Sequence, residues 1–329
     1  MKRLLTVGLV LMLILTMSSV VLAKTQVRLS EVVHSIFYAP QYVALHNGFF
    51  ADEGLEIELS TAWGGDKAAT SLMSNHADIA LIGPEPTIYI YQQGADDYLI
   101  NFAQLTQKAG SFLLAREPMP DFTLEDVRGK TVVGNRPGGA PEMVMEYTLR
   151  HSGIEPFKDV KIITNLDFTA NAPAFKNGLG DYVQLFEPKA SLLEEMGAGH
   201  VVASFGELGD KVPYTVYMAR KNYIAENPEV IQKFTNAIYR AQMWTYTHSS
   251  EEIAEVIRPF FPNLDFDVLV KVVNRYKEQN TWDQNPILSK AELNHWQNII
   301  IEAGELEKKV DYDVIVNTEF AKKAIKTVK

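Results

Sequence analysis

The residue best placed to do chemistry in this chain is one carboxylate, Glu85, in the run Gly83-Pro84-Glu85-Pro86-Thr87-Ile88-Tyr89. It follows an apolar strand signal over 77–83, so it falls at that strand's carboxyl end. A carboxylate there can accept hydrogen bonds from an amine or from the N–H groups of a heterocycle. Three Gly- or Pro-marked loops are candidates to surround it: Phe37-Tyr38-Ala39-Pro40, Trp63-Gly64-Gly65-Asp66, and the stretch from Asn135 through Gly138, Gly139 and Ala140. Each enters a helix after a strand. Helix N-termini present free N–H groups and partial positive charge, and glycine lets a ligand come close to the backbone. Phe37, Tyr38, Trp63, Tyr89, Phe168 and Phe186 fall at or beside strand ends, where ring faces suit a flat, partly apolar ligand. Trp63 leads this set, because glycines follow it instead of a regular element.

Catalytic patterns are poor. The seven histidines are scattered, and no pair has metal-ligand spacing such as H-E-x-x-H. There is no G-x-S-x-G elbow and no P-loop lysine. Gly178-Leu179-Gly180 lacks the third glycine of a dinucleotide fingerprint, and the pairs Glu194-Glu195 and Glu251-Glu252 read as solvated helix faces. The chain has no cysteine, which excludes a thiol nucleophile, a zinc ribbon, an iron–sulfur site, disulfides and a lipid-bearing cysteine. The expectation is a binding protein with no metal and no cofactor.

The elements that must position these loops read as α/β. Strands over 26–30, 55–59 and 77–83 alternate with helices over 37–45 and 67–75, and a parallel sheet follows from that order. A second series repeats the move with strands over 131–134, 160–163 and 181–186 and helices over 142–150 and 171–177. A strand over 111–115 leaves the first lobe and one over 213–219 returns to it. Two such crossings make a hinge with a cleft between lobes. Beyond 220 the chain turns helical, over 227–247, 251–258, 267–277, 290–303 and 318–327. The expected organisation is a first lobe of 24–112 and 215–329 and a second of 113–214. In such sheets, ligands sit beyond the carboxyl ends of the strands.

Residues 1–23 are a different kind of sequence. Lys2 and Arg3 precede an apolar run over 4–15, then Ser18, Ser19 and a terminal Ala23. That is the pattern of an export signal cleaved after Ala23, and it implies a free extracytoplasmic protein. The 329 residues carry 31 basic and 41 acidic side chains, a net charge of −10. Cleavage removes two basic residues and no acidic one, so the charge becomes −12. A surface that acidic repels phosphate backbones, and nucleic acid is not an expected partner.

Several stretches together resemble one family. They are Asn47-Gly48-Phe49-Phe50-Ala51-Asp52-Glu53-Gly54-Leu55, Gly64-Gly65-Asp66-Lys67, Ala77-Asp78-Ile79-Ala80 with Gly83-Pro84-Glu85, the run from Leu124 to Lys130, Phe186-Glu187-Pro188 and Val212-Pro213-Tyr214. The chain resembles the periplasmic solute-binding proteins of ABC importers in the nitrate, taurine, alkanesulfonate and thiamine-pyrimidine-precursor group. The resemblance implies the type II periplasmic-binding fold, two α/β lobes on a two-strand hinge with a helical C-terminal tail on the first lobe. It also implies a monomer in the periplasm that hands one small molecule to an ABC permease and its ATPase. Carried onto this chain, the ligand loops are Ser35, Phe37 and Tyr38; Trp63, Gly64, Gly65 and Asp66; Glu85; Asn135, Gly138, Gly139 and Ala140; and Glu187 in the second lobe, with Phe168 added as an aromatic neighbour. Bulky Trp63 and acidic Glu85 depart from sulfonate and nitrate binders and favour a nitrogen-containing, partly aromatic solute such as a pyrimidine precursor. The same jaw also serves sensory proteins. A related pyrimidine-precursor synthase is an enzyme on this fold, but it carries a cysteine-rich stretch that this chain lacks.

Overall fold

The computed structural model describes residues 24–328, so the export segment expected over 1–23 lies outside the described residues. Among the described residues there are ten strands: β1 (Thr25–Glu31), β2 (Leu55–Thr61), β3 (Ile79–Ile82), β4 (Leu99–Thr106), β5 (Ser111–Ala115), β6 (Thr131–Val133), β7 (Lys161–Ile163), β8 (Tyr182–Phe186), β9 (His200–Ser204) and β10 (Thr215–Arg220). They form two five-stranded sheets, in the orders β2-β1-β3-β10-β4 and β7-β6-β8-β5-β9. Strands β1, β2 and β3 run parallel, and β10 is antiparallel to both its neighbours. In the second sheet β6 pairs in parallel with β7 and β8, while β5 lies antiparallel to β8 and β9.

The helices that matter to the cleft are α1 (Ala39–His46), α2 (Gly65–Met73), α3 (Glu85–Gln92), α4 (Ala140–His151), α5 (Asn171–Lys176) and α6 (Lys189–Glu195). Local sequence explains where they begin. Pro40, Pro86 and Pro141 sit in the first turns of α1, α3 and α4, where a missing N–H costs nothing. Strand β3 is apolar and buried along its whole length, as a central parallel strand covered on both faces must be. Two strands escape the hydrophobic pattern. β4 buries Asn101, Gln104 and Thr106 among its apolar residues, so it shows neither alternation nor an unbroken apolar run. The Asn101 amide donates to Thr87 Oγ1 at 3.0 Å and to the Ile315 carbonyl at 3.1 Å. β9 is short and only half-buried.

The chain passes between sheets twice, between Thr106 and Ser111 and between Ser204 and Thr215. Phe37 fills the space beside these passages. Its ring lies 5.4–5.7 Å, centroid to centroid, from Tyr38, Phe186, Tyr214 and Tyr276. The C-terminal helices include α7 (Pro228–Thr247), α8 (Phe266–Glu278) and α9 (Lys290–Glu302). α7 packs against α1 and β4 on the first lobe. α8 and α9 also reach the second lobe. Arg275 on α8 pairs with Glu187 at 2.8 Å and Glu194 at 2.7 Å, and α9 packs on α4. The Tyr276 hydroxyl donates to the Gly110 carbonyl at 2.8 Å.

Gly110 is required by this packing, because a Cβ there would run into the Phe37 ring. Gly110→Ala is expected to lower stability by about 1–3 kcal/mol through overpacking, read as the shift of the urea midpoint at unchanged slope. An unchanged midpoint contradicts the role given to Phe37 at the hinge.

Candidate functional site

The cleft between the sheets holds two adjoining spaces. One, of about 430 Å³, is bordered by His34, Thr61, Asn171, Gln184, Glu187 and Lys189 among others. The other, of about 760 Å³, is bordered by the Gly64–Asp66 turn, Glu85, Tyr89, the Arg136–Gly139 loop and Glu305 among others. Trp63, Asn135 and Phe168 border both. A small extension of about 60 Å³ runs inward from Glu85 to Tyr38, Tyr214 and Ala140.

Glu85 is the electrostatic centre of the cleft. It opens α3 and is only 6% exposed. Its Oε1 accepts a long bond of 3.4 Å from the Ala140 amide of the opposite lobe, and its Oε2 is buried without a partner. Burial pushes its carboxyl up to about 7, although its own N–H and that of Ala140 pull the other way. Gly83 leaves the room the carboxylate occupies, since a Cβ there would collide with Glu85 Oε2. The buried Tyr214 hydroxyl, which shares the inner extension, also lacks a partner. A donor on a guest would satisfy Glu85 Oε2.

Trp63 stands in the left-handed region at φ 58°, which a bulky residue seldom adopts without a functional constraint. It is 37% exposed although it lies inside the cleft, so its ring is open to a guest. Across from it Lys189 places Nζ 5.8 Å from the ring centroid. That ammonium donates to the Phe168 carbonyl at 2.7 Å, and desolvation lowers its pKa. Behind the smaller space lies a buried carboxylate, Glu31. It accepts from Gln41 and Tyr42, each at 2.8 Å, from Thr61 at 2.9 Å and from His34 at 3.0 Å. The other ring nitrogen of His34 faces the Phe260 carbonyl at 2.8 Å. The bond to Glu31 raises the pKa of the ring and favours its protonated form.

The lobes touch at the mouth through few contacts. Arg136 of the second lobe pairs with Asp66 of the first at 3.1 Å and with Asp167 beside it. The Tyr89 hydroxyl donates to the Gly138 carbonyl at 3.3 Å.

Most of the expected loops converge here. Trp63, Gly64, Gly65, Asp66, Glu85, Asn135, Gly138, Gly139 and Phe168 border the two main spaces, and Tyr38 and Ala140 the inner extension. Three expected contacts do different work. Ser35 is fully buried, caps the turn before α1 by accepting from the Phe37 amide, and donates to the Glu187 carbonyl at 2.5 Å, so it fastens one lobe to the other. Phe37 belongs to the hinge core and borders none of these spaces. The Glu187 carboxylate is occupied by the Ser191 amide, the Ser191 hydroxyl and Arg275 at 2.8–3.0 Å. It caps α6 and leaves only its outline to the cleft. The sequence reading did not single out His34, Lys189, Asn171, Gln184, Tyr214 or Glu305, and it placed Arg136 in a ligand loop without giving it a role. Lys189 adjoins a quoted motif, and Arg136 and Tyr214 lie inside two others. The other four carry no local signal, because only the third dimension brings them to the cleft.

The family model that matches this chain is described as the NMT1-like family, over residues 22–258. The chain belongs to that family. It is 50% identical over 299 residues to the Bacillus subtilis (strain 168) protein YtlA, whose name describes it as a binding protein. That match covers 91% of this chain and 90% of YtlA. Two solved structures share the fold. The periplasmic nitrate-binding protein NrtA from Synechocystis PCC 6803 matches at a TM-score of 0.75 and 19% identity, over 93% of this chain and 89% of its own. The periplasmic aliphatic sulphonate binding protein SsuA from Escherichia coli matches at 0.68 and 18%, over 88% and 97%. The fold is that of the periplasmic binding proteins, with two lobes on a two-passage hinge.

The raised Glu85 carboxyl has a consequence for the ligand-free protein. Unfolded, a glutamate ionises near about 4.3; folded, Glu85 does so at about 7. The unfolded chain releases its proton first, so this group makes stability fall as pH rises through that window. Glu85→Gln removes the effect. Its stability relative to the parent is expected to grow by about 3 kcal/mol between about pH 4 and pH 8, measured by urea unfolding. A difference that is flat with pH contradicts the burial assigned to this carboxylate.

Proposed function

We propose that this protein is the exported, monomeric solute-binding component of an ABC importer, and that it captures one small, flat, nitrogen-bearing solute and delivers it to a membrane permease and its ATPase. A pyrimidine precursor fits this reading better than nitrate, taurine or a sulfonate. The observation that carries it is the Glu85 carboxylate, buried between the lobes with Oε2 unpartnered. An amino group or ring N–H satisfies that oxygen. A simple anion set against it meets repulsion in a poorly solvated site. Trp63 and Phe168, which border both spaces, offer ring faces to a flat guest.

The proposed mechanism is capture without turnover. Both lobes touch the solute only when closed, so the solute favours the closed state by its differential affinity for it. The permease then meets a surface made by both lobes together. The names of the binding-protein relatives YtlA and NrtA support a binding role.

Native mass spectrometry of protein purified without refolding tests the reading. The expected result is a retained small molecule carrying ring or amino nitrogen, with a melting temperature that rises on adding 4-aminopyrimidines to stripped protein. Stabilisation by nitrate or methanesulfonate alone contradicts it. Trp63→Ala is expected to weaken binding of the retained solute by about 1–3 kcal/mol if the ring stacks on it, measured by titration calorimetry. An unchanged dissociation constant removes Trp63 from the contact surface.

A further inference from the structure

The two spaces of the cleft differ in the sign of their charge. They meet at a waist formed by Trp63, Asn135 and Phe168, which border both. On the larger side the acids Glu85, Asp66 and Glu305 face one base, Arg136. That base is already engaged by Asp66 and Asp167, so the larger side has an excess of negative charge. Glu142, behind Gly138, adds none while protonated; burial and the neighbouring Glu146 raise its pKa.

The smaller side is the reverse. Its ionisable groups are His34, Glu187 and Lys189. His34 is balanced by Glu31 at 3.0 Å, and Glu187 by Arg275 at 2.8 Å. Lys189 is left over. Its Nζ donates to one neutral carbonyl, that of Phe168, and among the described residues no carboxylate forms an ion pair with it. A half-buried ammonium whose only hydrogen-bond partner is a carbonyl has two N–H donors left for a guest. An anion delivered to it would be held by charge-assisted hydrogen bonds in a partly desolvated place, where they are strongest. The same side holds one unpartnered acceptor, Asn171 Oδ1, suited to a hydroxyl or N–H on the arm that links the two ends.

We propose that the solute is dipolar, with an amino-substituted ring seated against Glu85 and an anionic arm, carboxylate or phosphate ester, that passes the Trp63–Phe168 waist and ends at Lys189. This rests on the reading of the cleft as a solute site and adds the second pole. It explains why a strongly acidic protein keeps an uncompensated lysine in its cleft. It also excludes simple anions and simple amines as full ligands, since each meets only one pole.

The test compares three probes by titration calorimetry on the mature chain: 4-amino-5-hydroxymethylpyrimidine, its phosphate monoester and 4-aminopyrimidine-5-carboxylate. At least one acid is expected to bind about tenfold more tightly than the alcohol, and Lys189→Gln to erase that advantage while leaving the alcohol within about threefold. The acid that gains identifies the arm as phosphate or carboxylate. Added salt should weaken the acids and spare the alcohol in the unmodified protein, a reading that needs no variant to fold. Equal or tighter binding of the alcohol, or an equal loss of all three probes in Lys189→Gln, overturns the second pole and leaves the amino-ring site standing. Binding of none of the three overturns both.

Discussion

A carboxylate taken out of water with one oxygen unpartnered raises the free energy of the protein that holds it. Glu85 is in that position, and much of the cleft exists to keep it there. Gly83 vacates the volume its carboxylate fills, the first turn of α3 supplies its own amide, and the Ala140 amide approaches from the other lobe at a long 3.4 Å. None of these reaches Oε2. The protonated form relieves part of the cost in the empty protein, which is why the pKa rises to about 7. A guest with a donor relieves it in the filled one. The site is therefore costly to fold and favourable to fill, a common arrangement where structure is held for binding.

The hinge and the mouth divide the remaining work. Close to the passages a buried hydrogen bond from Ser35 to Glu187 joins the lobes, and buried bonds from Tyr276 to Gly110 and from Trp282 to Phe37 hold the first-lobe side of the hinge. Such bonds are costly to break because each leaves a buried group unpaired. At the mouth the joining contacts are the exposed Arg136–Asp66 pair and the Tyr89–Gly138 bond. An exposed ion pair contributes about 0–1 kcal/mol. The mouth can thus open at small cost while the axis holds, and closure is left for the solute to drive. The tail adds a brace, since α8 joins the second lobe through Arg275 although it follows β10 back into the first.

How far the sequence announced this can be traced residue by residue. The alternation of apolar strands with capped or proline-started helices made the α/β architecture and the two crossings readable. β4 was hidden because its buried Asn101, Gln104 and Thr106 find partners only in distant segments. The loops around Trp63, Glu85 and Asn135 were readable because glycine and proline mark turns at strand ends. Side-chain direction was not. Ser35, Phe37 and Glu187 lie in the right segments, yet they cap, pack and pair instead of bordering the guest's space with polar atoms. Lys189 was the opposite case, one residue past the Glu187-Pro188 turn and unremarkable until the fold set its ammonium beside Trp63 and the Phe168 carbonyl.

The central claim is that one buried oxygen awaits a donor between the lobes. A crystal structure of the protein with the solute it retains from its host tests that most directly. The account predicts a molecule enclosed between the two sheets with a nitrogen within hydrogen-bond distance of Glu85 Oε2. A solute seated elsewhere, or one that turns an oxyanion toward that carboxylate, would contradict it.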